Sequence, residues 1–324
     1  MPDAYWLYED GIGEARAALV HDDGILAARI ELPGRLRVGT IARARLTEFQ
    51  LATLDSGEQV MLDRRPSGLT LRAALTVEVV REAIPEPGRA KRPRARATDA
   101  APATGPDLLA RITATGHPVH HLRAYEPDAL EQAGWSETLD EALTGEIAFP
   151  GGALRMAPTP AMTLFDVDGD GALDQLAERA AVAVAQAICR YNIGGSIGID
   201  FPTITGKAPR QAVAAAIDAH LALPFERTAV NGFGFLQIVR RRSRASLAEL
   251  FTHVPAHARA LLRQAERTGG SGERTVAAHP AVIAAVAARP DWIAAVERTL
   301  GAPLALRVET GLAISSGHVQ ARFP

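Results

Sequence analysis

The stretch "LFDVDGDGALDQL", residues 164–176, decides how this chain is read. Asp166, Asp168 and Asp170 alternate, Gly171 follows and Asp174 comes three later, the ligand spacing of an EF-hand calcium loop. Two physical points stand against calcium. The bidentate Glu that closes such a loop would fall on Ala177, and Glu178 is one residue late. No helix can enter the loop either, because Pro158 and Pro160 precede it in a strand-like run. A plain surface turn stays open as an alternative.

A second reading comes from the neighbours of this stretch. "TLFDVD" and "SIGIDF" are patterned as strands, and residues 172–191 between them as one long amphipathic helix, closed by Asn192 and Gly194. A strand–helix–strand unit crosses over right-handed and makes its strands parallel. Each strand ends in an aspartate, Asp166 and Asp200, so both carboxylates are expected at the carboxyl edge, where open α/β sheets place their sites. Two close like charges repel unless a cation lies between them. Hard oxygen ligands favour Mg²⁺ or Mn²⁺, a donor set suited to phosphodiester hydrolysis.

Composition narrows the rest. The 324 residues carry a formal net charge of -2, so any contact with a polyanion needs local basic patches. Basic residues are 33 Arg and two Lys, Lys91 and Lys207. The single cysteine, Cys189, excludes an internal disulfide and a multi-cysteine zinc site, and its expected role is a small apolar core residue. The acidic start "MPDAYWLYEDG" has no signal-peptide layout, and no apolar run has the length of a membrane span, so the expectation is a cytoplasmic protein without membrane contact.

Residues 1–34 hold strand-like runs with Asp22, Asp23 and Gly24 at a hairpin turn. Short β-patterned pieces follow, "RVGTIARARLT", "FQLATLDSGEQVMLD" and "LTVEVVREAI", which predict a small antiparallel barrel. "PEPGRAKRPRARATDAAPATGP" then reads as a mobile loop or linker. Its Arg89, Lys91, Arg92, Arg94 and Arg96 form either a solvated surface or a grip on a polyanion. Beyond 107 the pattern mixes helix and strand. It includes a helix over 137–145 with Thr138 and Glu141 as a capping box, and a helix over 209–223 with Pro209 in its first turn. "TAVNGFGFLQIV" reads as one strand, and Ser246 with Glu249 caps a following helix. "RTGGSGER" reads as a flexible break before a tail of helix, helix, strand, strand.

With "GEIAFPGGALRM", "MTLFDVDGD", "NIGGSIGIDF" and "FGFLQIVRRRSRASL" in this order, the chain resembles the ribonuclease E/G family of bacterial endoribonucleases. The resemblance implies an α+β, α/β multidomain architecture: an RNase H-like subdomain (1–34 plus 107–155) with an inserted OB-fold β-barrel (35–97), a linker (98–106), a DNase I-like catalytic subdomain (156–266) and a small C-terminal α/β domain (267–324). It implies magnesium-dependent cleavage of single-stranded RNA, in RNA processing or decay, to 5′-phosphate and 3′-hydroxyl ends. Asp166 and Asp200 correspond to the family's metal-binding catalytic aspartates, and Asp168 stands where the family has a catalytic Asn.

Several features depart from the family pattern. "RTGGSGER" lacks the zinc-link Cys-x-x-Cys, so no zinc is expected and a zinc-link dimer is not possible, which leaves the oligomeric state open. Little chain remains for the 5′-phosphate sensor. Thr53 and Met61 stand where the family presents RNA-stacking aromatics.

The expected RNA-binding residues are Lys207, Arg240, Arg242, Arg244, Lys91 and Arg92. Phe233 and Gly234 are expected to pack and turn the backbone, and Pro118 removes metal-ligand spacing from His117, His120 and His121. The reading is therefore a compact Mg²⁺-dependent endoribonuclease. The alternative on the same scaffold is a catalytically weak or inactive RNA-binding or regulatory protein, and a calcium-binding module is a minor third.

Overall fold

The computed structural model of the protein describes residues 4–22, 24–86 and 90–323. Asp23 of the expected hairpin turn and Arg89 of the basic run lie outside the described residues.

The chain opens with an antiparallel meander of β1 (Tyr5–Gly11), β2 (Glu14–His21) and β3 (Gly24–Glu31). Strand alternation sends Trp6, Ala17 and Ala27 to one face and Leu7, Ala18 and Ala28 to the other, and all six are buried. A sheet apolar on both faces must be covered on both.

Five strands then close a barrel: β4 (Ile41–Glu48), β5 (Leu51–Leu54), β6 (Gln59–Leu62), β7 (Ala74–Arg81) and β8 (Arg94–Ala97), in the order β4-β5-β6-β8-β7. Leu46, Leu54, Val60, Val77 and Ala95 fill it. This architecture is compatible with an OB-like fold. The linker reading of the basic run is corrected at β8. Ala95 is fully buried and its strand pairs with both β6 and β7, which removes two open edges. Three cations of the run are also paired locally. Lys91 pairs with Glu86 at 2.5 Å, Arg94 with Asp63 at 2.9 Å and Arg96 with Glu78 at 2.7 Å.

After the barrel come α1 (Leu108–Thr113), β9 (Val119–His121), α2 (Ala129–Gln132) and α3 (Trp135–Thr144). β9 adds to β1 in parallel, and α1 buries Leu108 and Ile112 against Trp6 and Ala17. The predicted capping box in α3 does not form. The helix starts earlier, after Gly134 at φ 91°, and Thr138 is buried inside it. Glu141 instead accepts hydrogen bonds from the Tyr191 hydroxyl and from Arg190.

The second sheet has six strands in the order β10-β11-β12-β13-β15-β14. They are β10 (Glu146–Phe149), β11 (Gly152–Pro158), β12 (Thr163–Gly169), β13 (Gly195–Asp200), β14 (Phe225–Arg227) and β15 (Phe235–Arg240). The expected boundary after 155 cuts through this sheet, because β11 pairs with β12 over seven positions. β12 and β13 are parallel, joined by α4 (Leu173–Arg190). Leu176, Ala180, Val184 and Ile188 recur at helical spacing and are buried, so this stripe faces the core. α5 (Lys207–His220) starts two residues before Pro209, so Lys207 is its first residue rather than part of a loop. "TAVNGFGFLQIV" is not one strand, because Asn231–Gly234 turns the chain before β15.

α6 (Leu247–Leu250) carries the predicted Ser246–Glu249 capping box, with both of its hydrogen bonds made. α7 (Val254–Arg267) leads into a three-stranded sheet ordered β17-β16-β18, covered by α8 (Pro280–Ala287) and α9 (Pro290–Leu300). β16 (Ser271–Ala278) begins inside the stretch expected to be a flexible break, and Arg274 within it is buried. β17 (Leu304–Val308) and β18 (His318–Phe323) complete the predicted helix, helix, strand, strand tail. A buried ion network ties α7 to the first sheet: Arg263 bonds Glu9 and Asp128, Arg267 bonds Glu9, and Arg259 bonds Glu14. Among the described residues no helix is long and apolar enough to cross a membrane.

Candidate functional site

β12 alternates Phe165 and Val167 inward with Asp166 and Asp168 outward, because only the apolar pair can pack under α4. β13 does the same, with Ile197 and Ile199 buried and Asp200 exposed. The parallel register pairs Asp166 directly with Asp200. Adjacent strands run about 4.8 Å apart, so the two carboxylates stand side by side on the open face. The cross-sheet row continues to Arg155 and Glu146 on one side and to Phe235 on the other.

Asp168 sits two residues beyond Asp166, its carboxylate 3.6 Å from Arg155, which also lies 3.4 Å from Glu146. Arg155 thus offsets part of the negative charge of the row. Asp170 and Asp174 belong to the turn into α4 and its first turn.

Asp166 and Asp200 are the residues that could hold a divalent ion. Among the described residues no group of three or more His, Cys, Asp or Glu is assembled to hold a metal with protein ligands alone. Two opposed hard carboxylates on an exposed face instead match an ion that keeps most of its water and takes further oxygens from a phosphate, as Mg²⁺ does. Against the minor calcium-loop reading, strand β12 stands where an EF-hand has its entering helix.

The same sheet edge carries the starts of two helices. α5 begins there without a side-chain cap, so its first backbone N–H groups are placed for an anion, whereas in the first turn of α4 the Asp174 carboxylate accepts from the Gln175 N–H at 2.9 Å. Lys207 is the first residue of α5, exposed, and Arg210 lies one turn on. The turn before β15 closes the other side. Phe233 there is 84% exposed, which overturns the expectation that it packs in the core.

The remaining sequence-predicted RNA contacts are not brought to this edge. Arg240 pairs with Gly195, at the far end of β13 from Asp200, about 17 Å away along the strand at ~3.3 Å per residue. Arg242 is engaged by Glu249 and Glu86, and Arg244 by Glu82 at 2.9 Å, so these two join the barrel and α6 to the second sheet. Lys91 is paired with Glu86 on the barrel, and Arg92 is exposed beside it. Thr53 and Met61 are half-buried on β5 and β6.

Sequence reasoning did not anticipate the exposure of Phe233 or of Phe49. Phe233 was signalled by its context, Asn-Gly-Phe-Gly, which places it at a turn tip. Phe49, 65% exposed where β4 turns into β5, has the Arg65 guanidinium 5.0 Å from its ring centre.

Two cavities among the described residues, of about 380 and 440 Å³, lie elsewhere. The first is between β3, the barrel and α6–α7, and the second is beside α3 and α7. An enclosed pocket is the default site for a small ligand. A polymer needs an open face, and the carboxylate row provides one.

No family model matches the chain. It is 32% identical over 109 residues to ribonuclease G of Escherichia coli (strain K12), covering 30% of this chain and 22% of that protein. Ribonuclease G of Shigella flexneri matches to the same extent. The matched region thus spans about a fifth of the length of these curated relatives, and it marks a distant relationship to ribonuclease G.

Proposed function

We propose that this protein is a compact, magnesium-dependent endoribonuclease of the ribonuclease E/G type, acting on single-stranded RNA in the cytoplasm, in RNA processing or decay. The observation that carries the reading is the direct pairing of Asp166 with Asp200 where the parallel pairing of β12 and β13 ends, β12 itself running three residues further to Gly169. The distant similarity to ribonuclease G supports the substrate class.

Asp166 and Asp200 would hold Mg²⁺ or Mn²⁺, with Asp168 beside them. When bound, such an ion neutralises charge on the scissile phosphate and lowers the pKa of the attacking water. Asp166 and Asp200 would hold the ion on one face of the sheet, and the phosphate would approach from that face. Lys207 and the α5 N-terminus draw the RNA backbone toward the same edge. Water adds to phosphorus, the bond to the 3′ oxygen breaks, that oxygen takes up a proton, and the downstream fragment keeps the 5′-phosphate.

A second reading, an RNA-binding or regulatory protein with weak or no cleavage, is favoured by Thr53 and Met61 on the barrel and by the extra charge of Asp168. Incubating the purified protein with an A/U-rich single-stranded RNA and Mg²⁺, then identifying the ends, separates the two. Internal cleavage to 5′-phosphate and 3′-hydroxyl ends supports the nuclease. RNA binding without cleavage in Mg²⁺ and in Mn²⁺ replaces it with the second reading.

A further inference from the structure

We propose that the turn carrying Phe233 is a nucleobase-stacking subsite, taking one unpaired base of the RNA next to the phosphate held at Asp166 and Asp200. The inference rests on the nuclease reading for the identity of that phosphate.

A single exposed apolar side chain is ordinary on a protein surface. Phe233 differs in how it is held and in what surrounds it. The Asn231 side-chain oxygen accepts hydrogen bonds from the backbone N–H of Phe233 at 2.9 Å and of Phe235 at 3.0 Å. The Gly234 N–H donates to the Asn231 carbonyl, and the Gly234 carbonyl accepts from the Phe201 N–H at 3.2 Å. Gly234 has φ 93°, and a Cβ there would collide with the Phe201 carbonyl oxygen, so this close approach requires glycine. The turn is thus fastened to the residue that directly follows Asp200. Phe235, two residues on, is the register partner of Asp200 itself. The ring is carried on a fixed backbone within two residues of the carboxylate row, so little backbone freedom is lost on binding.

The electrostatic surroundings complete the subsite. A Cβ on Gly232 would lie 3.6 Å from an Arg210 guanidinium nitrogen, which places that cation against the turn. Arg210 also donates to the Gly206 carbonyl at 3.0 Å, at the start of α5, where Lys207 stands. An aromatic face beside a cationic backbone track is the arrangement that binds single-stranded nucleic acid without reading its sequence. A base inside a duplex has no free face for Phe233, so the subsite selects unpaired RNA over duplex RNA.

The test uses single-stranded A/U-rich RNA about ten nucleotides long, carrying one 2-aminopurine at each position in turn, in EDTA so that binding is read without cleavage. Wild type is expected to quench 2-aminopurine at one or two adjacent positions. Phe233→Ala is expected to abolish that quench and raise Kd about tenfold, in the lower part of the stacking range. Phe233→Trp is expected to restore both. Thermal midpoints matching wild type confirm that the variants are folded. An unchanged quench pattern and Kd in Phe233→Ala overturn the subsite. If wild type never cleaves in Mg²⁺ yet the Phe233-dependent quench is present, the nuclease reading fails and the subsite stands. If wild type cleaves and Phe233→Ala cleaves with unchanged KM, the subsite fails and the nuclease stands.

Discussion

Asp166 and Asp200 are direct register partners on neighbouring parallel strands, so the fold sets two like charges against each other on an exposed face. Opposed like charges on a sheet are destabilising. In EDTA, Asp166→Asn and Asp200→Asn are therefore expected to leave the thermal midpoint equal to or above that of wild type. RNA cleavage in Mg²⁺ is expected to fall on the order of 10²-fold or more. Mg²⁺ should raise the wild-type midpoint and leave those of the variants where they were. Cleavage that persists in both variants removes the site assignment.

Asp168 adds a third negative charge, 3.6 Å from Arg155, with both side chains more than half exposed. Such a pair contributes little to stability, so Asp168→Asn is expected to move the urea unfolding free energy by no more than ~0.5 kcal/mol. The lost charge should raise the Mg²⁺ concentration needed for half-maximal cleavage and tighten RNA binding in EDTA. Parallel metal titrations and binding curves measure both.

Arg242 and Arg244 are ion-paired to Glu249, Glu86 and Glu82, while Lys207 stands at the free N-terminus of α5. Arg244→Ala is expected to cost up to about 1 kcal/mol of stability, at the level of a partly exposed pair. It should leave the salt dependence of RNA binding unchanged. Lys207→Ala and Arg210→Ala should each reduce the slope of log K against log salt by about 0.7. Titrations at several salt concentrations distinguish the two groups.

The network between the first sheet and α7 contributes to the pH dependence of stability. Burial pushes the Glu9 carboxyl up, but Arg16, Arg263 and Arg267 together hold it below its ordinary 4.5. Asp128 is likewise pushed up by burial and held below its ordinary 3.8 by Arg263. Both folded values lie below the unfolded ones, so their contribution is present above the ordinary values and is lost as pH falls through the folded ones. Removing one partner strands buried charge, and Arg263→Ala is expected to cost about 3–5 kcal/mol at neutral pH. Urea unfolding curves at several pH values test the magnitude and the sign.

Glu266 behaves in the opposite sense. Burial first, and then the charge of Glu9, push its carboxyl above the ordinary 4.5. Its contribution is complete below 4.5 and is lost as pH rises through the raised folded value. Glu266→Gln is therefore expected to be more stable than wild type at pH about 7. That gain should vanish at acid pH in the same unfolding series.

The sequence by itself determined the local elements and the carboxylate pair. Alternation in "TLFDVD" and "SIGIDF", with one long helix between, is enough to make two parallel strands, and chirality then puts both strand ends on one edge. Ser246 and Glu249 formed their cap because that motif closes on itself within one turn. The tertiary structure decided what depends on distant partners. Arg94–Ala97 looks like a charged linker until β6 and β7 flank it and Ala95 fills the barrel. Thr138 resembles a cap until its helix starts a turn earlier and buries it. Arg242 and Arg244 read as free cations because the glutamates that engage them include Glu82 and Glu86, more than 150 residues away in sequence. Phe233 read as core from its residue type, and only the turn fastened by Asn231 and Gly234 sets its side chain in solvent, two residues before the register partner of Asp200. Hydrogen-bonding and hydrophobic periodicity are local and legible in a sequence. Charge pairing and exposure are properties of whatever the fold brings alongside.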